Sequence, residues 1–360
     1  MGEREEELVL DVLRSGRLSL GPAIERFEER FAARVGAPFA AAVSSGTAGL
    51  HLLAHAAGLV PGDEVITSPI SFVATANCFI YEGATPVFAD VDERTLNLDP
   101  AAVEAALTER TRAIVAVDMF GYPCELEPLS DLCERHGLTL IQDSCEALGA
   151  EYKRTLVGGH GPSAVFAFYP NKQITTGEGG IVTTHSEELW NLLKSLRNHG
   201  RSYDARWFNY VRLGFNYRLT DLQAALGLGQ LERLDEILGL RSRAAERYST
   251  LLAGVEGVET LAADDDDHVR SWFVYVVKLA DGVDRDAVTA HLSAEGIEAG
   301  HYVPCVHLQP YLRDRYGFAE GVCPVAENTA QRTLALPFFT GIEAEDQDRV
   351  VESLRAALLV

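Results

Sequence analysis

Lysine is scarce in this chain. Of 31 basic residues only four are lysines (Lys153, Lys172, Lys194 and Lys278), leaving 27 arginines. Any chemistry that needs a primary side-chain amine therefore has four candidates. Basic charge as a whole is also short: 53 acidic residues give a formal net charge of −22. Such a field repels nucleic acid and anionic membrane surfaces, and neither is expected as a partner. No apolar run approaches the roughly 20 residues that span a bilayer. The opening Met1-Gly2-Glu3-Arg4-Glu5-Glu6-Glu7 is acidic, where a secretory signal begins basic. The six cysteines (Cys78, Cys124, Cys133, Cys145, Cys305 and Cys323) form no C-x-x-C pair. That excludes a zinc ribbon or disulfide frame and predicts reduced, mostly buried thiols in the cytoplasm. There is no internal repeat. The one low-complexity stretch, Asp264 to Asp267, lacks the spacing of a calcium loop and reads as a solvated turn, so no metal is expected.

Hydrophobic residues make up 47% of the 360, enough for a sizeable core, and the length suggests two domains at roughly 100–200 residues each. Helical patterns cover 4–14 and 22–35. Strands and helices then alternate: strands at 40–43, 64–67, 85–90, 112–119 and 138–142, helices at 48–58, 72–81, 99–109 and 126–136. The strands are continuous aliphatic and β-branched runs, as in a parallel sheet buried on both faces. With right-handed crossovers this predicts a doubly wound, mostly parallel α/β domain. From Asp221 the pattern changes to helices at 221–236 and 239–253, a strand near 271–278, and helices at 284–295 and 347–358. A large domain over 1–236 and a smaller α+β domain over 237–360 are expected.

Lys172 stands where an apolar strand, Val165 to Tyr169, meets Pro170 and a glycine-rich turn, Gly177-Glu178-Gly179-Gly180. A lysine beside a dry strand end is poorly hydrated, and the neutral amine is the form that attacks an aldehyde to give a Schiff base. A surface lysine next to a tight turn is the plainer alternative. Asp143 ends the strand 138–142, and ligands of open α/β sheets sit at that edge. A carboxylate there can hold a pyridine nitrogen protonated; it can also cap a helix beginning at Ser144. Ser45-Gly46-Thr47 joins a strand to a helix, whose N-terminal N–H groups suit a phosphate. Phe72 could stack on a flat ring, although an aromatic after a strand is more often core.

In this order, Ser45-Gly46-Thr47, Phe72, Asp143 and Lys172 resemble the DegT/DnrJ/EryC1/StrS family, the sugar aminotransferases of pyridoxal-phosphate (PLP) fold type I. The similarity runs over nearly the whole chain. It is strongest at Gln142–Ala150, Tyr169–Gly180 and Gly214–Ala225, with Ser271-Trp272 and His301-Tyr302-Val303-Pro304 through His307-Leu308-Gln309-Pro310 also matching.

The resemblance implies PLP as cofactor, held as a Schiff base by Lys172, which then shuttles the proton. Asp143 would pair with the pyridinium nitrogen and Phe72 would stack on the ring. Gly46 and Thr47 would hold the phosphate. Glu146 would face the phenolic oxygen, where relatives often have Gln or His; two anions there would repel unless one carries a proton. Asn216 or Arg218 would reach the phosphate of a partner subunit, which implies a homodimer with composite sites. Many members have Ser at the place of Ala167, and Ser163 is a candidate replacement. The expected reaction moves an amino group from glutamate to a keto sugar, usually nucleotide-linked. Arg154, Arg201, Arg206, Arg212 and Arg218 are candidates for the diphosphate, and His199, His301 and His307 for the sugar. A keto-cyclitol acceptor and a non-enzymatic regulator on the same fold are the alternatives. Loss of a visible imine absorbance on adding glutamate separates enzyme from regulator.

Overall fold

A computed structural model describes residues 1–202, 209–302 and 304–359. Nine strands come first: β1 (Phe39–Val43), β2 (Glu64–Thr67), β3 (Thr85–Phe88), β4 (Thr111–Val117), β5 (Thr139–Asp143), β6 (Glu151–Tyr152), β7 (Thr155–Leu156), β8 (Ser163–Ala167) and β9 (Gly180–Thr184). Seven of them form one sheet in the order β1-β9-β8-β5-β4-β2-β3. All its pairings are parallel except those of β9, which runs against both neighbours. The sheet is therefore α/β and mostly parallel, as its aliphatic strands predict, with β2, β4, β8 and β9 almost wholly buried.

Because β1, β2, β4, β5 and β8 point the same way, their carboxyl ends share one edge. The chain leaves that edge at Ser45, Ser68, Asp118, Ser144 and Phe168. Beneath β8, Phe27, Phe31, Phe166 and Phe168 pack edge to face, with ring centroids 5.2–5.7 Å apart. All four rings are at most 1% exposed. Each contributes about 1.5–3 kcal/mol by burial, and together they stiffen the strand that leads to Lys172.

A second sheet, β10 (Val258–Thr260), β12 (Tyr275–Leu279) and β13 (Thr333–Leu336), is antiparallel throughout. Between its first two strands, β11 (His268–Val269) joins β6 and β7 instead. The helix Leu234–Leu252 spans two cores. Leu234 and Ile237 pack with Phe27 and Phe31, whereas Ala245, Tyr248 and Leu252 pack with Tyr275 and Leu334. Position 236/237 thus falls within this helix. Where one helix was expected over 221–236, the chain breaks at Arg233 (φ −105°, ψ 7°) between Asp221–Glu232 and Leu234–Leu252.

Asp264 and Asp265 fold back on their own backbone. Asp265 Oδ1 accepts from Asp267 N, His268 N and His268 Nδ1, and Asp264 Oδ1 accepts from Arg270 N. No helix among the described residues is long and apolar enough to cross a membrane.

Candidate active site

A cavity of about 690 Å³ opens at the carboxyl edge of the large sheet. Gly46, Thr47, Phe72, Asp143, Glu146, Ala167, Lys172 and His301 all line it. Residues separated by more than a hundred positions are thus brought to one place by strand order alone.

On one side lies the start of the helix Gly46–Ala56. Ser45 caps it, with Oγ accepting from Ala48 N at 3.1 Å. Helix geometry leaves the N–H groups of Gly46 and Thr47 without an intrahelical acceptor, so they are offered to an anion. Gly180 lets β9 pack closely against this turn: a Cβ there would lie 2.6 Å from the carbonyl carbon of Ser45.

The floor carries Asp143, only 6% exposed. Its Oδ2 accepts from Thr75 Oγ1 at 2.6 Å and its Oδ1 from Cys145 N at 3.2 Å. Thr75 is held in turn by Ser71 Oγ at 2.5 Å. No cation is paired with Asp143 among the described residues, so the carboxylate is oriented without being neutralised. Asp143 caps no helix, because Ser144–Ala150 forms two successive turns closed by Ala147 N to Ser144 O and Ala150 N to Ala147 O. Behind it, buried Asp118 accepts from Ser144 Oγ (2.6 Å), Cys124 N (2.9 Å) and Gln142 Nε2 (3.0 Å). Burial pushes the Asp118 carboxyl above its ordinary range.

Lys172 sits on a turn closed by its own N–H to Tyr169 O at 3.0 Å. Its Nζ lies 3.4 Å from Glu146 Oε1 and 4.0 Å from the Phe273 ring centroid. Glu146 Oε2 accepts from Phe120 N at 3.0 Å. Burial raises the Glu146 carboxyl above its ordinary range, outweighing the opposing pull of Lys172. Phe72 is 67% exposed at the cavity rather than core, since the helix expected from residue 72 starts at Ala74. An apolar face left open beside a carboxylate and an amine is available for a flat ring.

Other expected residues lie elsewhere. His307 is wholly buried, its Nε2 3.0 Å from Glu327 Oε1 and its ring against Phe88, so it does not line the cavity. His199 is on an exposed turn (φ 60°) and donates its N–H to Phe215 O. Asn216 is exposed and bridges to Asn198, while Arg218 Nη1 donates to Asn198 Oδ1 at 2.9 Å. Arg218 lines a separate pocket of about 370 Å³ with Lys194, Arg197 and Arg201. Burial, then the charges of Arg201 and Arg197, lower the Arg218 guanidinium from its ordinary value. Arg154 is exposed on the β6–β7 turn, and Arg212 Nη1 reaches Ser195 Oγ. Arg206 and Val303 lie outside the described residues. Ser163 cannot stand in for a hydroxyl at position 167: it occupies the opposite end of β8 and donates to Thr184 Oγ1.

Sequence reasoning did not single out Thr75, Phe273 or Arg241. Thr75 follows Phe72 by three positions, joined to it by a turn in which Thr75 N donates to Phe72 O, and that spacing was the available signal.

The fold and the cavity together define an α/β protein that brings a lysine amine and a buried carboxylate to one cavity at the carboxyl edge of its large sheet. The chain belongs to the DegT/DnrJ/EryC1/StrS aminotransferase family, whose model matches residues 1–355. It is similar to the spore coat polysaccharide biosynthesis protein SpsC of Bacillus subtilis, with 41% identity over 99% of this chain and 94% of that protein. It is likewise similar to the GDP-perosamine synthase of Caulobacter vibrioides (39% identity, 99% of this chain, 95% of that one). A solved structure of the sugar aminotransferase Spr1654 from Streptococcus pneumoniae in its PLP form superposes with a TM-score of 0.95 at 27% identity, covering 100% of this chain and 97% of that one.

Proposed function

We propose that this sugar aminotransferase takes an amino group from glutamate and delivers it to a keto sugar carried on a nucleoside diphosphate, with PLP as cofactor in the cytoplasm. One observation carries the reading: Lys172 and Asp143 face a single cavity beside an anion-ready helix N-terminus. The residues fit the cofactor. Asp143 is a buried carboxylate without a cationic partner among the described residues, Phe72 is an open apolar face, and Gly46 and Thr47 at the helix start line the same cavity. When bound, PLP serves as an electron sink for the amino-bearing carbon.

This chain's residues do the rest. With the cofactor bound, Lys172 Nζ would hold its aldehyde carbon when no substrate is present. Freed, it would move a proton from the donor carbon to that aldehyde carbon in the first half and from the aldehyde carbon to the acceptor carbon in the second, general acid–base work worth about 10²–10⁴-fold. Asp143, fixed by Thr75 and Cys145 N, keeps a proton on the ring nitrogen. Gly46 and Thr47 N–H groups bind the phosphate. Glu146, whose carboxyl burial raises above its ordinary range, would face the ring oxygen with less repulsion than an exposed carboxylate. His301, at the exposed end of the cavity, meets the sugar. Asn216 and Arg218 lie outside this cavity and serve the phosphate of a second subunit in a homodimer.

The purified protein should take up PLP and show a visible imine absorbance that glutamate erases. Lys172→Ala should bind the cofactor without that absorbance. A panel of nucleotide-linked keto sugars with ¹⁵N-glutamate should then yield labelled amino sugar. Transfer to free keto-cyclitols but to no nucleotide sugar would overturn the acceptor assignment.

A further inference from the structure

Arg241 is a buried cation without an anion. Its residue is 6% exposed, and among the described residues it forms no ion pair. Burial alone lowers its guanidinium to about 10. Such a charge is costly unless its donors are used. Its two terminal nitrogens use theirs on backbone: Nη1 donates to Phe273 O (3.0 Å) and Trp272 O (3.3 Å), and Nη2 to Lys172 O (3.4 Å), while Nε is buried without a hydrogen-bond partner among the described residues. One side chain thus ties the main chain of the reactive lysine to that of a segment a hundred residues later.

The tie has a second strand. Gln173 Nε2 donates to Glu146 O at 2.5 Å and to Ser271 Oγ at 3.0 Å. Ser271 N donates to Gly121 O, and its Oγ to Leu148 O. At Gly121 (φ +78°) a Cβ would lie 1.7 Å from Ser271 O, so the strap passes against bare backbone. At the end of this strap the Phe273 ring lies 4.0 Å from Lys172 Nζ. It is 1% exposed, and the Tyr302 ring meets it edge-on at 5.7 Å.

We propose that Phe273, pinned by Arg241, is a positioning residue for amine transfer, its ring seating the Lys172 ammonium in the stages when that lysine is unbonded and carries a proton. The inference rests on the aminotransferase reading above. An ammonium withdrawn from water needs a partner in place of its hydration, and an aromatic face supplies one without taking the proton. Glu146 lies within 3.4 Å as a polar alternative. The seat keeps Nζ within reach of the reacting carbon through the half of the cycle in which it is free, when misplacement is most costly. Phe273 makes no contact with reacting atoms in this role; it acts through Lys172.

The test begins without cofactor. With four lysines in the chain, ¹⁵N-lysine labelling gives a sparse ammonium spectrum in which Lys172 is assigned by its loss in Lys172→Ala. Ring shielding should place the Lys172 proton resonance upfield. Phe273→Leu should move it downfield, Phe273→Tyr should leave it, and Arg241→Met should broaden or move it, with partial return in Arg241→Lys. A Lys172 resonance that Phe273→Leu leaves in place overturns the proposal. Thermal melts identify any variant that fails to fold, and Phe273→Leu carries the test if Arg241→Met does. In the loaded protein, kcat of Phe273→Leu should fall about ten- to hundredfold with the donor KM within about twofold. Equal loss in kcat and donor binding would also overturn it. If wild type binds no PLP, the aminotransferase reading fails instead, while the spectral result still reports on the seat.

Discussion

The carboxyl group of Glu146 faces an ammonium across 3.4 Å, yet both side chains are less than 15% exposed. Two opposing effects act on its proton. The Lys172 charge favours release, and the loss of water favours retention. Retention wins, and the group lies above its ordinary value near 4.5 in the folded protein. The sign of the consequence follows from linkage. A native state that binds the proton more tightly than the unfolded chain has this contribution in full below about 4.5 and loses it as pH rises through the raised value. Glu146→Gln keeps the shape and removes the loss. Relative to the parent, the cofactor-free variant should therefore gain stability as pH rises from about 4.5 through the raised value. Urea unfolding at each pH measures the difference. A difference flat across that range would mean that Glu146 stays ionised beside Lys172.

Asp221 opens the helix Asp221–Glu232 and also anchors a helix two hundred residues earlier. Its Oδ2 accepts from Gly21 N at 2.7 Å and its Oδ1 from Ala23 N at 3.0 Å, fixing the entry to the helix Pro22–Val35. Gly21 has no side chain because a Cβ would meet Asp221 Oδ1 at 2.6 Å. Asp221→Ala leaves two buried donors unpaired and should cost about 1–3 kcal/mol. Amide exchange at Gly21 and Ala23 should quicken more than exchange in β4. Uniform quickening across the molecule would place the residue in the global core rather than at this joint.

Elements of this kind also divide what the sequence reveals from what it hides. The parallel strands were legible because burial on both faces demands unbroken aliphatic runs. Asp143 and Lys172 could be placed at one edge because each follows such a run. The reversal of β9 was not legible, since Gly180–Thr184 has the same composition in either direction. The break at Arg233 carries no glycine or proline to announce it. Arg241 was invisible for another reason: its partners are carbonyl oxygens, which every residue possesses. His307 has a ligand's chemistry, but whether it faces a cavity or Glu327 is decided by packing.

On the scale of the whole molecule, a chain of net charge −22 gathers Lys194, Arg197, Arg201 and Arg218 around one pocket containing a single acid, Glu25. Arg197 is already offset by its ion pair with Glu28, and an anion arriving beside Arg218 would offset more of the like charge gathered there. Nearby in sequence, Tyr210, Val211 and Leu213 are exposed, Leu213 by 82%. Apolar side chains beside a cationic pocket suit a subunit contact that delivers Asn216 and Arg218 to a phosphate held by the other copy. The chain of 39.2 kDa should then sediment at twice that mass. Leu213→Glu puts a charge into the proposed contact and should raise the dimer dissociation constant by at least about tenfold. Its cavity would remain intact, because Leu213 does not line it. The diluted variant should therefore keep its folded circular-dichroism spectrum while losing cofactor affinity and amine transfer together, and both should return as concentration restores the dimer. A monomeric variant that binds PLP as tightly as the parent would show that each subunit's site is complete in itself.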